Sequence, residues 1–391
     1  MRRTIPGVFG LTALLFFLLL GAAPLPVSAE TVEEEDTDVT LMMEDSLMDE
    51  MDLEEIQKSV DELLGNTDLS VQDSVDRLMA GENIVSGTDM KENVFTQIVR
   101  AFREQKETWV QLLVLVLAAA LLSNFASLFE NGQMGEMAFY MIYLLVFALL
   151  LKNFQTLSGQ IAEMLQGLVS FMKALIPAYY LTIAAASGVS SAAMFYQVVL
   201  IAIWLVEHLL IYLILPGIHV YLLLSLVNQL SKEDFLSHMA ALLKNIISWI
   251  LKTALGLIIG MQLTRNLVAP ALDSLKRTII GKTASAIPGV GNAIDAVTEM
   301  VIGSAVLIRN CVGAVAVVIL FLCALAPVIQ VGVTGLAYRF LAAFAQPVSD
   351  RRMVGCLNTM GVGCGLLLKL LITTEVLFML TIAILAGTAG G

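Results

Sequence analysis

The sequence predicts an all-α, polytopic helical membrane protein, preceded by a cleaved signal peptide and a small acidic helical extracytoplasmic region. Composition is the first reason, since 58% of the residues are hydrophobic and 14% are charged, whereas soluble domains carry about 25% charged residues. The second reason is that the apolar residues lie in runs long enough to cross a bilayer. Charge gives the internal boundaries, with 21 acidic and 3 basic residues in 30–92 but 13 acidic and 17 basic residues in 93–391. These patterns predict three parts, namely 1–29, 30–108 and 109–391.

Residues 1–29 have the pattern of a secretory signal. Arg2 and Arg3 form a charged start, and the apolar core VFGLTALLFFLLLGAA follows them. Val27 and Ala29 supply the small residues that signal peptidase requires. The alternative is an uncleaved first anchor, but the apolar core is short for a membrane span.

Residues 30–108 are predicted to form short amphipathic helices outside the membrane. The first carries its apolar stripe before Gly65, and the second begins after Ser70, which can cap it, and ends at Gly81. Their apolar stripes comprise Leu53, Ile56, Val60, Leu63 and Leu64, then Val71, Val75, Leu78 and Met79. Such narrow stripes predict packing on each other, on the bilayer surface or on a partner. The acidic charge argues against binding to nucleic acid or to anionic lipid headgroups.

The membrane region begins at Trp109 and holds nine apolar segments, from which we expect six to eight spans. They are 109–129, 136–151, 161–187, 193–215, 217–230, 245–263, 301–326, 328–345 and 362–386. Segment 217–230 would reach only about 21 Å, short of a hydrocarbon core near 30 Å. In segment 161–187, Pro177 followed by AAASGVSSAA predicts a broken or re-entrant helix packed inside protein.

Basic residues give a partial prediction of sidedness. Arg265, Lys276, Arg277 and Lys282 are interpreted as one cytoplasmic connection, and Arg351 with Arg352 as another. Segments 301–326 and 328–345 would then form a hairpin that crosses out and back. Counting forward from an external Glu30 puts 265–282 on the wrong side, so at least one candidate segment does not cross.

The stretch GKTASAIPGVGNAIDAVTEM, residues 281–300, contains fragments of two nucleotide-binding motifs but completes neither. A P-loop would need glycine at Lys276, and a dinucleotide fingerprint would need glycine at Ile294. Pro288, Gly289 and Gly291 instead predict a break, after which Asn292 can cap a new helix. The break is interpreted as a hinge between an interfacial helix and a span. The alternative is a discontinuous helix that lines a transport pathway.

Ionisable residues inside apolar runs are the strongest candidates for function, because an unpaired charge in lipid is costly. Glu207, Arg309 and Glu375 each lie within such a run. We predict Glu207 and Arg309 as a buried pair; the alternatives are that the pair only fixes helix register, or that the two residues face water at the edge of a segment. The lysines within apolar runs, Lys173 among them, are long enough to reach the membrane surface.

No catalytic, cofactor or metal constellation is predicted from this sequence. The four cysteines lack CxxC or Cys/His spacing and are interpreted as small buried hydrophobes. The small-residue seams GVGCG at 361–365 and SGVSSAA at 187–193 are interpreted as helix-packing surfaces.

Three stretches resemble the stage III sporulation protein AE family of endospore-forming bacteria. They are FMKALIPAYYLTIAAASGVSSAAMFYQVVL (171–200), AIPGVGNAIDAVTEMVIGSAVLIRNCVGAVAVVIL (286–320) and LAAFAQPVSD (341–350). Ile287–Pro288 with Gly291, Arg309–Asn310 and Gln346–Pro347 match family positions that have no assigned role. The resemblance covers about 105–390, and the acidic region is similar only in character.

The resemblance implies a mother-cell membrane component of a channel-like, secretion-related complex that is needed for late forespore development. Its implied partners are other mother-cell stage III sporulation proteins, namely an ATPase, ring-forming and membrane subunits, together with a forespore membrane protein. The alternative is a stand-alone small-solute permease with broken helices. An intramembrane enzyme is the least favoured hypothesis, because no acid/base or metal set is present in the sequence.

Overall fold

The computed structural model describes residues 53–64, 70–82, 132–187, 189–230, 235–280, 291–347 and 349–386, with isolated residues between 96 and 121. Every regular element in these ranges is a helix, which confirms the predicted all-α class. The helices are α1 (Leu53–Leu64), α2 (Val71–Met79), α3 (Gly132–Ser187), α4 (Val189–Leu205), a π-helix (Val206–Ile214), α5 (Leu215–Leu230), α6 (Ser237–Ile280), α7 (Gly291–Ala345) and α8 (Arg351–Ala386). The predicted signal peptide lies outside the described residues.

Helices α1 and α2, together called the acidic hairpin, form where the sequence predicts them. The Ser70 hydroxyl accepts a hydrogen bond from the backbone N–H of Asp73 at 3.3 Å, so the predicted cap is confirmed. Gly81 follows α2 with a φ of 77°, a conformation that glycine adopts without steric cost. The two helices are also joined directly, because the backbone N–H of Val71 donates to Oε1 of Gln57 at 2.7 Å.

The acidic hairpin packs on the long helices of its own chain. Helix α1 contacts α3, and α2 contacts α7. Leu63 lies against Gly167 of α3, so closely that a Cβ built there would be 2.5 Å from Leu63 Cδ2. The buried residues Ile56 and Val75 join the core of the long helices. The predicted apolar stripes are therefore used for packing within the chain.

Five described helices are long and apolar enough to cross a membrane, which confirms a polytopic membrane protein. They are Tyr140–Ala185, Val199–Leu230, Ser237–Leu257, Ile302–Ala345 and Arg351–Ala383. Trp109–Ala118 is a shorter apolar helix. The count of six to eight spans over the whole chain stays a prediction.

Two predicted segments, 136–151 and 161–187, form one helix, so Pro177 does not break it, whereas the helix does end within the predicted run AAASGVSSAA. Helix α3 continues through Pro177 and ends at Ser187. Proline removes one backbone hydrogen bond, but membrane helices tolerate it because their packed neighbours hold the chain helical. Segment 217–230 likewise continues the helix before it through the π-helix.

The predicted hairpin of 301–326 and 328–345 is also wrong, because α7 runs unbroken through Pro327 from Gly291 to Ala345. Nothing but Pro327 separates the two segments, and a single proline can bend a helix without reversing it. The two basic connections therefore lie at opposite ends of one helix. Arg265, Lys276 and Arg277 also belong to α6 rather than to a loop, since α6 reaches Ile280.

Helix α8 is the central helix of the bundle. It contacts α3, α5, α6 and α7 and is buried over most of its apolar length. Glycines of α8 make its close approach to α7 and to α5 possible. A Cβ on Gly361 would lie 2.8 Å from Arg339 Cγ, and a Cβ on Gly363 would lie 2.8 Å from Leu222 Cδ1. The prediction that GVGCG is a packing surface is confirmed.

Candidate functional site

Glu207 forms an ion pair with Lys173, not with Arg309. Nζ of Lys173 lies 3.3 Å from Oε2 of Glu207, with 50% and 31% of the two side chains exposed. The pair joins α3 to the π-helix near the bundle surface. The predicted pairing of Glu207 with Arg309 is wrong, because Glu207 pairs with Lys173 at the partly exposed surface of the bundle, whereas Arg309 is buried in its interior. Arg309 is only 1% exposed.

Arg309 lies deep between α7 and α3. Its charge acts on Tyr179 of α3, which is itself buried. The Tyr179 hydroxyl has no hydrogen-bond partner among the residues that the structure describes. Asn310, the next residue on α7, is partly buried. Arg309 thus places a charged group inside the bundle, where ionisable residues are rare and commonly functional.

Glu375 is a second buried ionisable group, on the central helix α8. It is 4% exposed, and neither carboxyl oxygen has a hydrogen-bond partner within the described part of the chain. It lies near Cys323 of α7. Cys323 is 14 residues from Arg309 on the same helix, or about 21 Å. The structure therefore leaves Arg309 and Glu375 well apart along the length of α7, while Glu207 pairs with Lys173.

A groove of about 400 Å³ opens beside the ion pair. It is lined by Lys173, Leu200, Ile201, Ile203, Trp204 and Glu207. Its wall includes the start of the nine-residue π-helix, a helix type that is uncommon and often found at functional sites. The sequence gives no sign of it, because VEHLLIYLI contains no proline or glycine.

An aromatic stack continues from the groove along the bundle surface. The rings of Trp204 and His208 lie 5.0 Å apart at 18°, and those of His208 and Tyr212 lie 5.8 Å apart at 60°. This stack places His208 at the surface. Among the described residues, no group of three metal-ligating side chains comes together.

The remaining predicted site residues lie apart from this groove. Pro177 is exposed on α3, and Gly291 is the first residue of α7, one position before the predicted cap Asn292. Pro288 and Gly289 lie outside the described residues. Gln346 and Pro347 form the turn after α7. The break before α7 therefore agrees with the observed helix start, whereas its role as a hinge stays a prediction.

One polar contact that the sequence did not suggest joins three helices. The Tyr143 hydroxyl of α3 donates to the carbonyl of Leu226 in α5 at 3.1 Å and lies 2.8 Å from Sγ of Cys356 in α8. All four cysteines are buried. Their predicted role as small buried residues is confirmed, and Cys356 adds a polar contact to it.

The comparisons with known proteins agree with one another. The family model described as "Stage III sporulation protein AE (spore_III_AE)" matches residues 69–389. Over 280 residues the chain is 26% identical to "Stage III sporulation protein AE" of Bacillus subtilis (strain 168), a match that covers 71% of this chain and 70% of that protein. No solved structure matches the chain.

Proposed function

Because the chain belongs to the stage III sporulation protein AE family, we propose that it is an integral membrane component of a complex joining mother cell and forespore. The observation that carries the proposal is the family match over residues 69–389, which contains the five helices in the described part of the chain that are able to cross a membrane. The complex is channel-like and related to secretion systems, and it is required for late forespore development.

The proposed partners are other mother-cell stage III sporulation proteins and one forespore membrane protein. The mother-cell partners comprise an ATPase, ring-forming proteins and further membrane subunits. In this arrangement the chain supplies part of the membrane passage, and the ATPase supplies the energy. The failed P-loop match at 281–283 supports this division of labour.

The proposed location is the mother-cell membrane that surrounds the forespore. A signal peptide at 1–29 would carry the acidic hairpin across that membrane, so that the hairpin lies on its extracytoplasmic side. The role is non-enzymatic. Support for this comes from Glu207, Arg309 and Glu375, which no contact among the described residues brings together as a catalytic acid and base.

Deletion of the gene in its own spore-forming host tests the proposal. Development should stall after engulfment, while vegetative growth should stay normal. A second copy of the gene at another locus should restore spore formation, which controls for effects on neighbouring genes. A normal yield of spores from the deletion strain would contradict the proposal.

The alternative function is a stand-alone permease for a small solute. Glu375 favours it, because an ionisable residue deep in a membrane bundle commonly marks a transport pathway. Purified protein in liposomes would then move a solute without any partner, and Glu375→Gln would abolish the movement. Transport by the purified chain alone would favour the permease over a complex subunit.

A further inference from the structure

Helix α3 carries a continuous strip of polar residues on its exposed side. Between positions 152 and 173, the exposed positions hold only polar side chains or glycine. Six of them are Lys152, Gln155, Gln160, Glu163, Gln166 and Lys173, and the other three are a threonine, a glycine and a serine. This set of nine exposed positions is called the polar strip.

The polar strip has the length of a membrane. Its members recur at intervals of three or four residues or are adjacent, so they share one face of the helix. From Lys152 to Lys173 the helix rises about 32 Å, close to the thickness of a hydrocarbon core, about 30 Å. The preceding part of α3 differs, because its exposed residues include Met141, Leu144 and Leu145.

At the same depth, another side of the bundle is apolar. Two contacts set the depth, since Phe154 packs edge-on against His219 at 5.4 Å and Lys173 pairs with Glu207. Between Glu207 and His219, the helix exposes Tyr212 by 62% and Leu213 by 55%. Those side chains suit contact with lipid, whereas lysine and glutamate at the same depth do not.

Helix α6 extends this apolar side. Ile247 of α6 lies against Gly217. Gly217 is between Glu207 and His219 in sequence, so Ile247 lies at the same depth as the polar strip. Next to it, Trp249 is 66% exposed and Ile246 is 43% exposed. The bundle therefore shows lipid-compatible residues on α5 and α6 and polar residues on α3.

The position of the acidic hairpin indicates water on the polar side. Leu63 of α1 packs on Gly167, which is one helical turn from Glu163 of the polar strip. Three carboxylates of α1 are exposed there, those of Glu54, Glu55 and Glu62. Hydrocarbon around these carboxylates would cost several kcal/mol for each charge, so the side of the bundle that holds the hairpin is hydrated, and the hairpin reaches this depth through water from the extracytoplasmic face.

We propose that the polar strip lines a water-filled passage at membrane depth through which hydrophilic solutes move. One chain supplies one polar wall of that passage. The strip combines two lysines, one glutamate and several amides, which suits polar solutes of either charge. The inference rests on the proposed function, because it assigns the passage of that complex to a face of this chain.

Cysteine labelling in membranes tests the inference, because all four native cysteines are buried and give little background. Gln155→Cys, Gln160→Cys and Gln166→Cys place a thiol on the strip. Leu213→Cys and Val220→Cys are matched controls at the same depth on the apolar side. Each full-length variant is treated with a charged methanethiosulfonate in membranes opened to both faces.

The strip positions should react at least about ten-fold faster than the controls, because the reactive thiolate forms in water and not in lipid. Equally fast reaction at the strip positions and at the control positions would mean that this part of the bundle lies outside the bilayer, which would overturn the proposal. Unreactive strip positions would overturn it as well, provided that the variants unfold at the temperature of the unmodified chain. The membranes contain no other sporulation protein, so a failure here is separate from a failure of the proposed complex.

Discussion

The contact between α7 and α8 at Gly361 makes a quantitative prediction. In Gly361→Ala, the new Cβ would lie 2.8 Å from Arg339 Cγ and 3.3 Å from the carbonyl oxygen of Gly335. Both atoms are closer than an ordinary van der Waals contact, and Cγ lies in the stem of the arginine, not at its mobile end. Overpacking of this kind costs about 1–3 kcal/mol. Alanine also favours the helix over glycine by about 1 kcal/mol, which opposes that loss.

Gly332→Ala is the matched control, because Gly332 lies within α7, the helix that Gly361 of α8 packs against, and a Cβ at Gly332 meets no atom within 4 Å. It should gain about 1 kcal/mol from helix propensity with no packing cost. The propensity gain is common to both variants, so their difference isolates the packing cost of about 1–3 kcal/mol.

Thermal unfolding of the full-length protein in lipid nanodiscs measures this difference. The midpoint of Gly332→Ala should lie above that of the unmodified chain, and the midpoint of Gly361→Ala should lie below that of Gly332→Ala. Equal midpoints for the two variants would refute the close approach of α7 and α8. Gly361→Ala above Gly332→Ala would refute it as well.

Three further predictions use the same unfolding assay or local exchange measurements. Tyr143→Phe removes the hydroxyl that contacts Cys356 and should cost about 0.6–1.7 kcal/mol, the range for polar contacts between membrane helices; an unchanged midpoint would contradict that role. Ser70→Ala removes the cap of α2 and should cost about 1 kcal/mol, seen as faster amide exchange within the acidic hairpin; unchanged exchange would count against the cap. A double-mutant cycle of Lys173→Met and Glu207→Gln should give a coupling below about 1 kcal/mol, because the pair is partly exposed. A coupling of several kcal/mol would mean that assembly or lipid buries the pair.

Local sequence signals predicted the acidic hairpin well. Ser70 caps α2 and Gly81 follows it, because capping and left-handed glycine depend on residues only a few positions apart. The buried cysteines and the GVGCG seam were also predictable from residue type, since small residues in apolar helices favour close packing. These features need no knowledge of the partner helix.

Helix continuity was predicted less well, because it depends on tertiary packing. Pro177 predicts a broken helix and Pro327 separates two predicted segments, yet α3 and α7 continue through these prolines. The lost hydrogen bond at a proline is a fixed local cost, whereas the packing that offsets it comes from helices distant in sequence. The same reasoning explains why the π-helix after Leu205 was not foreseen.

The partner of Glu207 could not be read from the sequence either. Arg309 was the more conspicuous cation, since it lies in the middle of an apolar run. Lys173 is less conspicuous, because it is one of several lysines whose side chains are long enough to reach the membrane surface. Which cation meets Glu207 depends on the register of α3 against the π-helix, which places Lys173 within 3.3 Å. Register is a property of the packed bundle, not of either segment alone.

Crosslinking with mass spectrometry in sporulating cells tests the central claim most directly. The cells are sampled after engulfment, and the tagged full-length chain is recovered with its crosslinked neighbours. The proposed role predicts crosslinks to the stage III ATPase, to ring-forming proteins and to a forespore membrane protein. Recovery of the chain crosslinked to none of them, at normal expression, would contradict membership of the complex.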